Sequence, residues 1–469
     1  MVFSSLTFLF LFLPLVLLLY FILPGIRAKN VLLLIASLLF YAWGEPVYVF
    51  LMVATALINW AFGLLMERGH KALWCTLAVV FDLGCLVVFK YTGFLVENLN
   101  ALFSLSLPVP EIALPIGISF YTFQILSYVV DVKRGSVGVQ RSFARFLLYV
   151  TLFPQLIAGP IVRYSDVEAE LTDRCMDAES VFYGLYRFCI GLGKKVLLAD
   201  YAGSAASKIL DGTLAAQTTL GMWFGVLMFM FEIYFDFSGY SDMAIGMGRM
   251  FGFKYPENFR LPYTARSITD FWRRWHISLS SFFRDYVYIP LGGNRRHVYL
   301  NLAIVWTLTG LWHGASWNFV LWGVYFLALL VIERLLRRAI EHIPIVLRHV
   351  FTLLLILVGW NIFYFTDTSR LTESFRVLFG ASGVGFTDHQ TWILMLNSMP
   401  LAVLCFICCT PLPRVLGASL SVLCATNGRV GFRQYLFSIG MFAVSITLLV
   451  LSIISLTGSS FNAFLYFRF

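Results

Sequence analysis

Apolar runs of membrane-spanning or near-spanning length follow one another along almost the whole chain. A helix needs about 20 apolar residues to cross a bilayer, so the chain has room for roughly ten to twelve crossings. The runs occupy residues 7–23, 31–43, 47–66, 73–89, 112–130, 146–162, 182–198, 220–245, 300–312, 319–332, 350–365, 392–409 and 435–456. They lack the alternating pattern of barrel strands, and lipid cannot satisfy open backbone groups. The sequence therefore predicts an all-α polytopic membrane protein.

The composition excludes a water-soluble globule. Of 469 residues, 59% are hydrophobic and only 13% are charged, which is too little polarity to cover a surface of this size. The formal net charge of +9 does not indicate nucleic-acid binding, because the basic residues cluster at the ends of apolar runs, where membrane topology and anionic lipid explain them. We expect one integral membrane domain over residues 1–469, with 7–23 as its first helix rather than a removable signal.

The positions of lysine and arginine predict the orientation of the first half. Basic pairs occur at 27–29, 68–71 and 133–134, whereas the turn at 45–46 and the loop at 97–111 contain no lysine or arginine. Because cytoplasmic loops carry an excess of these residues, we expect the N-terminus to lie outside the cytoplasm. From residue 182 onward the orientation stays open, since two adjacent lysines interrupt the apolar run there.

Residues 249–296 differ from both ends of the chain. Arginines alternate there with tryptophan, phenylalanine and tyrosine. The segment is too polar to cross lipid and too aromatic for a disordered loop. We therefore expect amphipathic helix that lies at, or dips into, the cytoplasmic interface as an interfacial or re-entrant segment.

His313 is the first candidate for a catalytic base. It stands in a strongly apolar stretch between Gly310 and Gly314, which allow close backbone approach. Ionisable groups at membrane depth are costly and normally line a cavity or relay protons. Desolvation would keep the imidazole neutral, the state that accepts a proton from an attacking hydroxyl. A histidine that serves packing alone is the alternative.

A second histidine, His276, stands beside Arg273 and Arg274 and directly after two tryptophans. The arginine pair could bind the phosphates of coenzyme A or of a carrier phosphopantetheine through charge-assisted hydrogen bonds. A basic anchor at the membrane interface explains the same residues equally well. Both interpretations stay open from the sequence.

Two carboxylates, Asp236 and Asp242, lie within a run that is otherwise fit to span the membrane. An unpaired carboxylate there would be expensive, so we expect each to find arginine, tyrosine or water in a polar interior. They could line the site or form structural ion pairs. The cysteines show no paired metal spacing, and Cys405, Cys408 and Cys409 fit apolar packing. We therefore predict no metal.

Ten short stretches of the chain form a specific set in this order. They are 1–5, 114–121, 157–160, 193–196, 234–246, 257–259, 271–280, 284–286, 291–295 and 310–314. With them the sequence resembles the membrane-bound O-acyltransferase (MBOAT) family, within it the bacterial alginate O-acetylase-like branch. The resemblance implies a ring of helices around a thinned centre, with a central tunnel that admits an acyl donor. It also implies that His313 is the embedded catalytic histidine and His276 the second functional histidine.

With this family in view, donor-binding or tunnel-lining roles are predicted for six residues, which are Arg273, Arg274, Trp312, Asp236, Asp242 and Asn258. The stretch 461–469 resembles the tyrosine-containing C-terminal motif of polymer-acylation systems. We predict that Tyr466 is an acyl relay, because a phenol can lose its proton to a neutral histidine and phenolate is a better leaving group than an alkoxide in the next transfer. An aromatic belt residue is the alternative.

Together these features predict an O-acyltransferase of the bacterial plasma (inner) membrane that moves acetyl from a thioester towards an extracytoplasmic polysaccharide. Acetyl-CoA or an acyl-carrier thioester is the expected donor, with no bound cofactor. An SGNH-hydrolase-like acetyltransferase is the expected extracytoplasmic partner, since no soluble domain is present to do its work. Alginate is the first choice of acceptor, and peptidoglycan, cellulose or teichoic-acid D-alanylation are alternatives. A transporter or flippase and a non-catalytic scaffold are the competing classes.

Overall fold

The structure is a bundle of helices. The computed structural model describes residues 1–413, 415, 432–458 and 464–465, with the backbone alone for 432–437. No strand occurs in these ranges, and the predicted all-α class is confirmed. The helices, numbered α1 to α20 along the described chain, are Phe8–Ile22, Gly25–Ala42, Tyr48–Glu67, Lys71–Phe103, Ile118–Arg134, Phe143–Thr151, Phe153–Leu156, Tyr164–Thr172, Ala178–Gly193, Asp200–Leu210, Thr219–Met250, Ile268–Trp272, Ile277–Phe283, Val298–His313, Trp317–Leu335, Arg337–Glu341, Ile345–Tyr364, Thr368–Leu378, His389–Cys409 and Phe432–Gly458.

Within the described ranges, eight helices are long and apolar enough to cross a membrane. They are α2, α3, α4, α11, α15, α17, α19 and the Ser438–Gly458 part of α20. The chain is therefore a multi-pass membrane protein. Helix α1 is apolar but shorter, so the expected total of roughly ten to twelve crossings stays a prediction.

Helix α11 is the central element of the bundle. It begins after Thr218, whose hydroxyl accepts a hydrogen bond from the backbone N–H of Gly221. Most of its 32 residues are buried. A Cβ atom on Gly191 of α9 would collide with the carbonyl oxygen of Gly239, so the two backbones are in direct contact. This packing places Asp236 and Asp242 in the interior of the bundle.

Helices α14 and α15 form a hairpin that holds His313 at its turn. A Cβ atom on Gly310 would strike the carbonyl oxygen of Phe319, and one on Gly323 would strike that of Trp306. Small residues facing each other let the backbones approach, as in other membrane helix pairs. The end of α14, and with it His313, is therefore fixed against α15.

Replacing Gly310 with alanine is expected to destabilise the protein by about 1–3 kcal/mol, because the added methyl group overpacks a backbone contact. The measurement is the thermal unfolding of the purified protein in nanodiscs. Gly84→Ala in α4 is the matched control, since among the described residues no atom lies within 4 Å of its added Cβ. Equal unfolding temperatures for the two variants would contradict the close contact.

Residues 249–296 include the short helices α12 and α13 and a π-helical turn. Most of their aromatic side chains are buried inside the bundle. The Trp275 ring lies 6.2 Å from Tyr234 of α11 and 4.8 Å from Trp360 of α17. The segment therefore packs against the central helix, and its placement as an interfacial or re-entrant segment on the cytoplasmic side stays a prediction.

Two of the loops with basic pairs contact this segment at one end of the bundle. Arg134 donates to the carbonyl oxygen of Asp285 over 2.8 Å. Arg174 donates both to Asn30, which follows the 27–29 pair, over 2.7 Å, and to the carbonyl oxygen of Phe251, over 2.9 Å. The basic loops at 27–29 and 133–134 therefore adjoin residues 249–296.

The loops without basic residues meet at the opposite end. The Tyr48 hydroxyl donates to the carbonyl oxygen of Ala113 over 2.9 Å. The indole N–H of Trp317, at the start of α15, donates to Asn98 over 2.9 Å. Because α14 ends immediately before this turn, His313 lies towards the end without basic loops.

Candidate active site

His276 begins helix α13 in the centre of the bundle. Its φ of 44° lies in the left-handed region, which is uncommon for a residue with a side chain and typical of functional sites. The side chain is 1% exposed, and burial lowers the pKa of its imidazole to about 3. The ring is therefore neutral at physiological pH, and its unprotonated nitrogen can accept a hydrogen bond.

Asn258 connects His276 to neighbouring elements. Its Oδ1 lies 3.2 Å from Nδ1 of His276 and accepts a hydrogen bond from Ser278 over 2.8 Å. Its Nδ2 donates to Ser241 of α11 over 3.2 Å and to the carbonyl oxygen of Gly159 over 3.3 Å. This arrangement assigns the proton to Nδ1 of His276. Among the described residues, Nε2 of His276 has no hydrogen-bond partner, so it is open to a reacting group.

His313 and His276 contact the same indole. The Trp312 ring centroid lies 5.0 Å from His313 and 5.6 Å from His276. The rings of Trp322, at 4.9 Å, and Phe363, at 5.2 Å, also pack against His313, which is 4% exposed. The two histidines and Trp312, predicted separately, are thus brought together at one site.

Lys90 is a site residue that the sequence interpretation missed. Its ammonium donates to the carbonyl oxygen of Trp312 over 2.6 Å and lies 3.4 Å from that of His313, so it caps the C-terminal end of α14. It also donates to Ser119 over 3.3 Å. Lys90 and His313 line a cavity of about 90 Å³ near the end without basic loops. The available signal was one lysine within a 33-residue apolar helix.

A larger cleft of about 970 Å³ lies near the beginning of α14. We call it the arginine cleft, because four guanidinium groups line it together with three carboxylates. Clustered guanidinium groups suit phosphate, which they bind in bidentate fashion. The charged lining residues are Arg273, Arg334, Arg337, Arg348, Asp270, Glu333 and Glu341. Arg273 therefore faces a space that an anionic ligand can enter.

Aromatic rings connect the arginine cleft with His313. Trp272, the neighbour of Arg273, packs 4.8 Å from Trp306 and 5.4 Å from Trp322. Trp322 in turn contacts His313. A donor entering from the cleft would follow these rings to the histidines, and the central tunnel along this route stays a prediction.

Two of the predicted lining residues are held by ion pairs. Arg274 lies 2.8 Å from Asp270, four residues earlier in the chain. Asp242 is partly buried and lies 2.9 Å from Arg187 and 2.6 Å from Lys194. These partners give both residues a structural role, and a donor-binding role for either one remains untested.

Asp236 contacts the C-terminal segment. One carboxylate oxygen lies 2.7 Å from the ammonium of Lys195, and the other accepts a hydrogen bond from the backbone N–H of Leu465 over 2.8 Å. Tyr466, the predicted relay, lies outside the described residues, as does the rest of 461–469 apart from Phe464 and Leu465. The relay therefore stays a prediction.

The part of the chain that the structure describes gives no indication of a metal centre. In it, no three side chains of histidine, cysteine, aspartate or glutamate come together as ligands. The cysteines described there are free thiols, and Cys405 and Cys409 are buried in α19.

The fold and the buried histidine pair are those expected of an integral membrane acyltransferase, and comparison with known proteins identifies the family. The model of the MBOAT, membrane-bound O-acyltransferase family matches residues 91–374. The chain belongs to this family and is an O-acyltransferase.

Three relatives illustrate the similarity. The chain is 39% identical to "Probable alginate O-acetylase AlgI" of Azotobacter vinelandii, over 100% of both chains. It is 44% identical to the protein of the same name from Pseudomonas aeruginosa, over 77% of this chain and 72% of the relative. It is 35% identical to "Peptidoglycan O-acetyltransferase" of Helicobacter pylori, over 82% and 81% respectively. The predicted resemblance to the alginate O-acetylase-like branch is confirmed.

Proposed function

We propose that this enzyme moves an acyl group, most simply acetyl, from a cytoplasmic thioester across the membrane for O-acetylation of an extracytoplasmic polysaccharide. The names of the relatives support a polymer acceptor, with an alginate-like exopolysaccharide as first choice. Peptidoglycan is the leading alternative, since a relative of 35% identity bears that name. Cellulose O-acetylation and teichoic-acid D-alanylation are further alternatives.

The observation that carries the proposal is the position of the two histidines. Both contact Trp312, His313 lines the cavity beside Lys90 at the end of α14, and the arginine cleft lies near the start of the same helix. An acyl transferase that serves two sides of a membrane needs a base where a donor from one side meets an acceptor from the other. The position of the histidines supports His313 as such a base.

In the proposed reaction, His313 takes the proton of the attacking hydroxyl while the hydroxyl oxygen bonds to the thioester carbonyl carbon. The tetrahedral intermediate collapses with cleavage of the carbon–sulfur bond, and the imidazolium returns the proton to the departing thiolate. An oxygen ester and a thiol result, with no net change in protons. The open Nε2 of His276 is placed to accept a hydrogen bond that orients the hydroxyl or the thiol.

The arginine cleft is the proposed entrance for the donor, and Arg273→Gln tests it. We expect the donor KM to rise about tenfold or more with kcat nearly unchanged, because a charge-assisted hydrogen bond to phosphate contributes about 1.5–3 kcal/mol. The measurement is steady-state transfer from acetyl-CoA and from an acyl carrier.

Arg141→Gln is the matched control, since Arg141 is exposed and pairs with Glu67 away from the cleft. An equal KM for the Arg273 and Arg141 variants would rule out this entrance. The donor with the larger rise in KM is the one that the cleft recognises.

We further propose that the enzyme works in the bacterial plasma (inner) membrane with a separate SGNH-hydrolase-like acetyltransferase. With His313 as the base, the phenol of Tyr466 would take the acyl group from the thioester, and the partner would transfer it from there to polysaccharide hydroxyls. A phenyl ester suits this division of labour, because phenolate is a better leaving group than an alkoxide.

Reconstituted proteoliposomes test the overall function. A donor labelled in its acyl group is offered on one side, and the loss of thioester is measured together with the formation of oxygen ester on the protein or the acceptor. We expect both to proceed together. Counterflow of an intact substrate without thioester loss would favour the transporter, and acylation that is indifferent to His313 would favour the scaffold.

A further inference from the structure

A buried carboxylate of the central helix binds the backbone of the C-terminal segment. Asp236 is 1% exposed, and its Oδ2 accepts a hydrogen bond from the N–H of Leu465 over 2.8 Å. Its Oδ1 lies 2.7 Å from the ammonium of Lys195. The chemistry proposed above uses neither charged group, so this pair needs another explanation.

Lys195 is itself shared between two carboxylates. Its ammonium lies 2.6 Å from Asp200 as well as 2.7 Å from Asp236, and its side chain is 5% exposed. Lys195 belongs to a π-helical turn, Lys194–Ala199, of a kind that often occurs at functional sites. A buried carboxylate is costly unless each of its oxygens accepts a hydrogen bond. Because the single ammonium of Lys195 is shared by Asp200 and Asp236, it does not supply all the donors that the two carboxylates need. The N–H of Leu465 supplies the remaining donor to Asp236.

The same stretch is packed beside His276. Phe464 and Leu465 are buried, and the Phe464 ring lies 4.6 Å from Tyr240 of α11. Phe237, one residue after Asp236, contacts Phe464 at 6.0 Å and His276 at 4.6 Å. A single aromatic ring, that of Phe237, therefore separates the C-terminal stretch from the candidate active site.

We propose that Asp236, oriented by Lys195, is a positioning residue that fixes the backbone at Leu465, the residue directly before the proposed relay Tyr466. Consecutive Cα atoms are about 3.8 Å apart, so an anchor at Leu465 restricts where the next residue can reach. A misplacement of about 1 Å can slow a positioned reaction about 10²-fold. This inference rests on the proposed relay through Tyr466.

The first test measures the anchoring without any chemistry. The full-length protein in nanodiscs is treated with carboxypeptidase, and the C-terminal residues that remain are followed by mass spectrometry. We expect digestion to stop before Leu465 in the parent protein and to pass it at least tenfold faster in Asp236→Ala. Asp236→Asn, which keeps an acceptor oxygen, should restore at least part of the protection.

Asp242→Ala is the matched control for digestion, because it removes another ion-paired carboxylate of α11, one that pairs with Arg187 and Lys194. Leu465 should stay protected in that variant. Protection that is equal in Asp236→Ala and the parent protein, or lost equally in Asp242→Ala, overturns the proposal.

The second test measures acyl transfer to Tyr466 in a single turnover. Asp236→Ala should slow loading 10- to 100-fold at an unchanged donor KM, whereas a general loss of structure would change both. Loading at the parent rate overturns the positioning role. If the parent protein itself takes up no acyl group on Tyr466 while the difference in digestion persists, the relay fails and the anchoring stands.

Discussion

His313→Ala is expected to lower acyl transfer by about 10²–10⁴-fold, the range over which a positioned general base contributes to catalysis. The imidazole is 4% exposed and packs against Trp312 and Trp322, so no bulk water can take over its task efficiently. The loss should appear in kcat rather than in the donor KM, because the arginine cleft lies near the other end of α14. Transfer is measured with a labelled thioester in proteoliposomes.

Two further variants separate catalysis from folding. His313→Gln retains a side chain of similar size but has no group that accepts a proton at neutral pH. It should therefore lose as much activity as His313→Ala while it unfolds at nearly the parent temperature. His342→Ala is the control, because His342 is exposed and bonded locally to the carbonyl oxygen of Arg338. Transfer by His313→Gln within threefold of the parent rate would exclude the imidazole as the base.

The helices could be predicted from sequence where apolarity is a local property. The apolar run 47–66 became α3, Tyr48–Glu67, with a shift of a single position at each end. The predicted run 73–89 stops before Lys90, whereas the observed helix α4 continues to Phe103. A buried lysine that caps a distant helix end looks, in sequence, like the end of an apolar segment.

The same limit explains what was found of the candidate site. His313 and His276 could be singled out because an imidazole among apolar neighbours, or beside arginines, is conspicuous in a short window. Lys90 and Lys195 could not, because their roles depend on partners far away in the chain. Trp312 lies more than two hundred positions from Lys90, and no spacing rule connects them. Arg273 and Arg274 were likewise equivalent in sequence until folding directed only the first into the cleft.

Tyr466→Phe is expected to abolish acylation of the C-terminal peptide and to lower polymer acylation at least 10²-fold. The substitution removes a single oxygen, so a residue that only fills an aromatic belt would tolerate it. A relay cannot, because the phenol oxygen is the atom that bonds to the acyl carbon. Mass spectrometry of the C-terminal peptide after incubation with donor gives the loading, and ester formation on polysaccharide with the partner present gives the output. Tyr299→Phe, at an exposed position, is the control.

The comparison of Tyr466→Phe with His313→Ala gives the order of events. If the histidine acts first and the phenol receives the group, Tyr466→Phe should keep slow hydrolysis of the thioester by water, whereas His313→Ala should lose both hydrolysis and loading. Thioester hydrolysis lost equally in the two variants would mean that the phenol takes part in activating the donor. An unmodified Tyr466 in a parent preparation that acylates polymer would remove the relay altogether and would require His313 to activate the final acceptor directly.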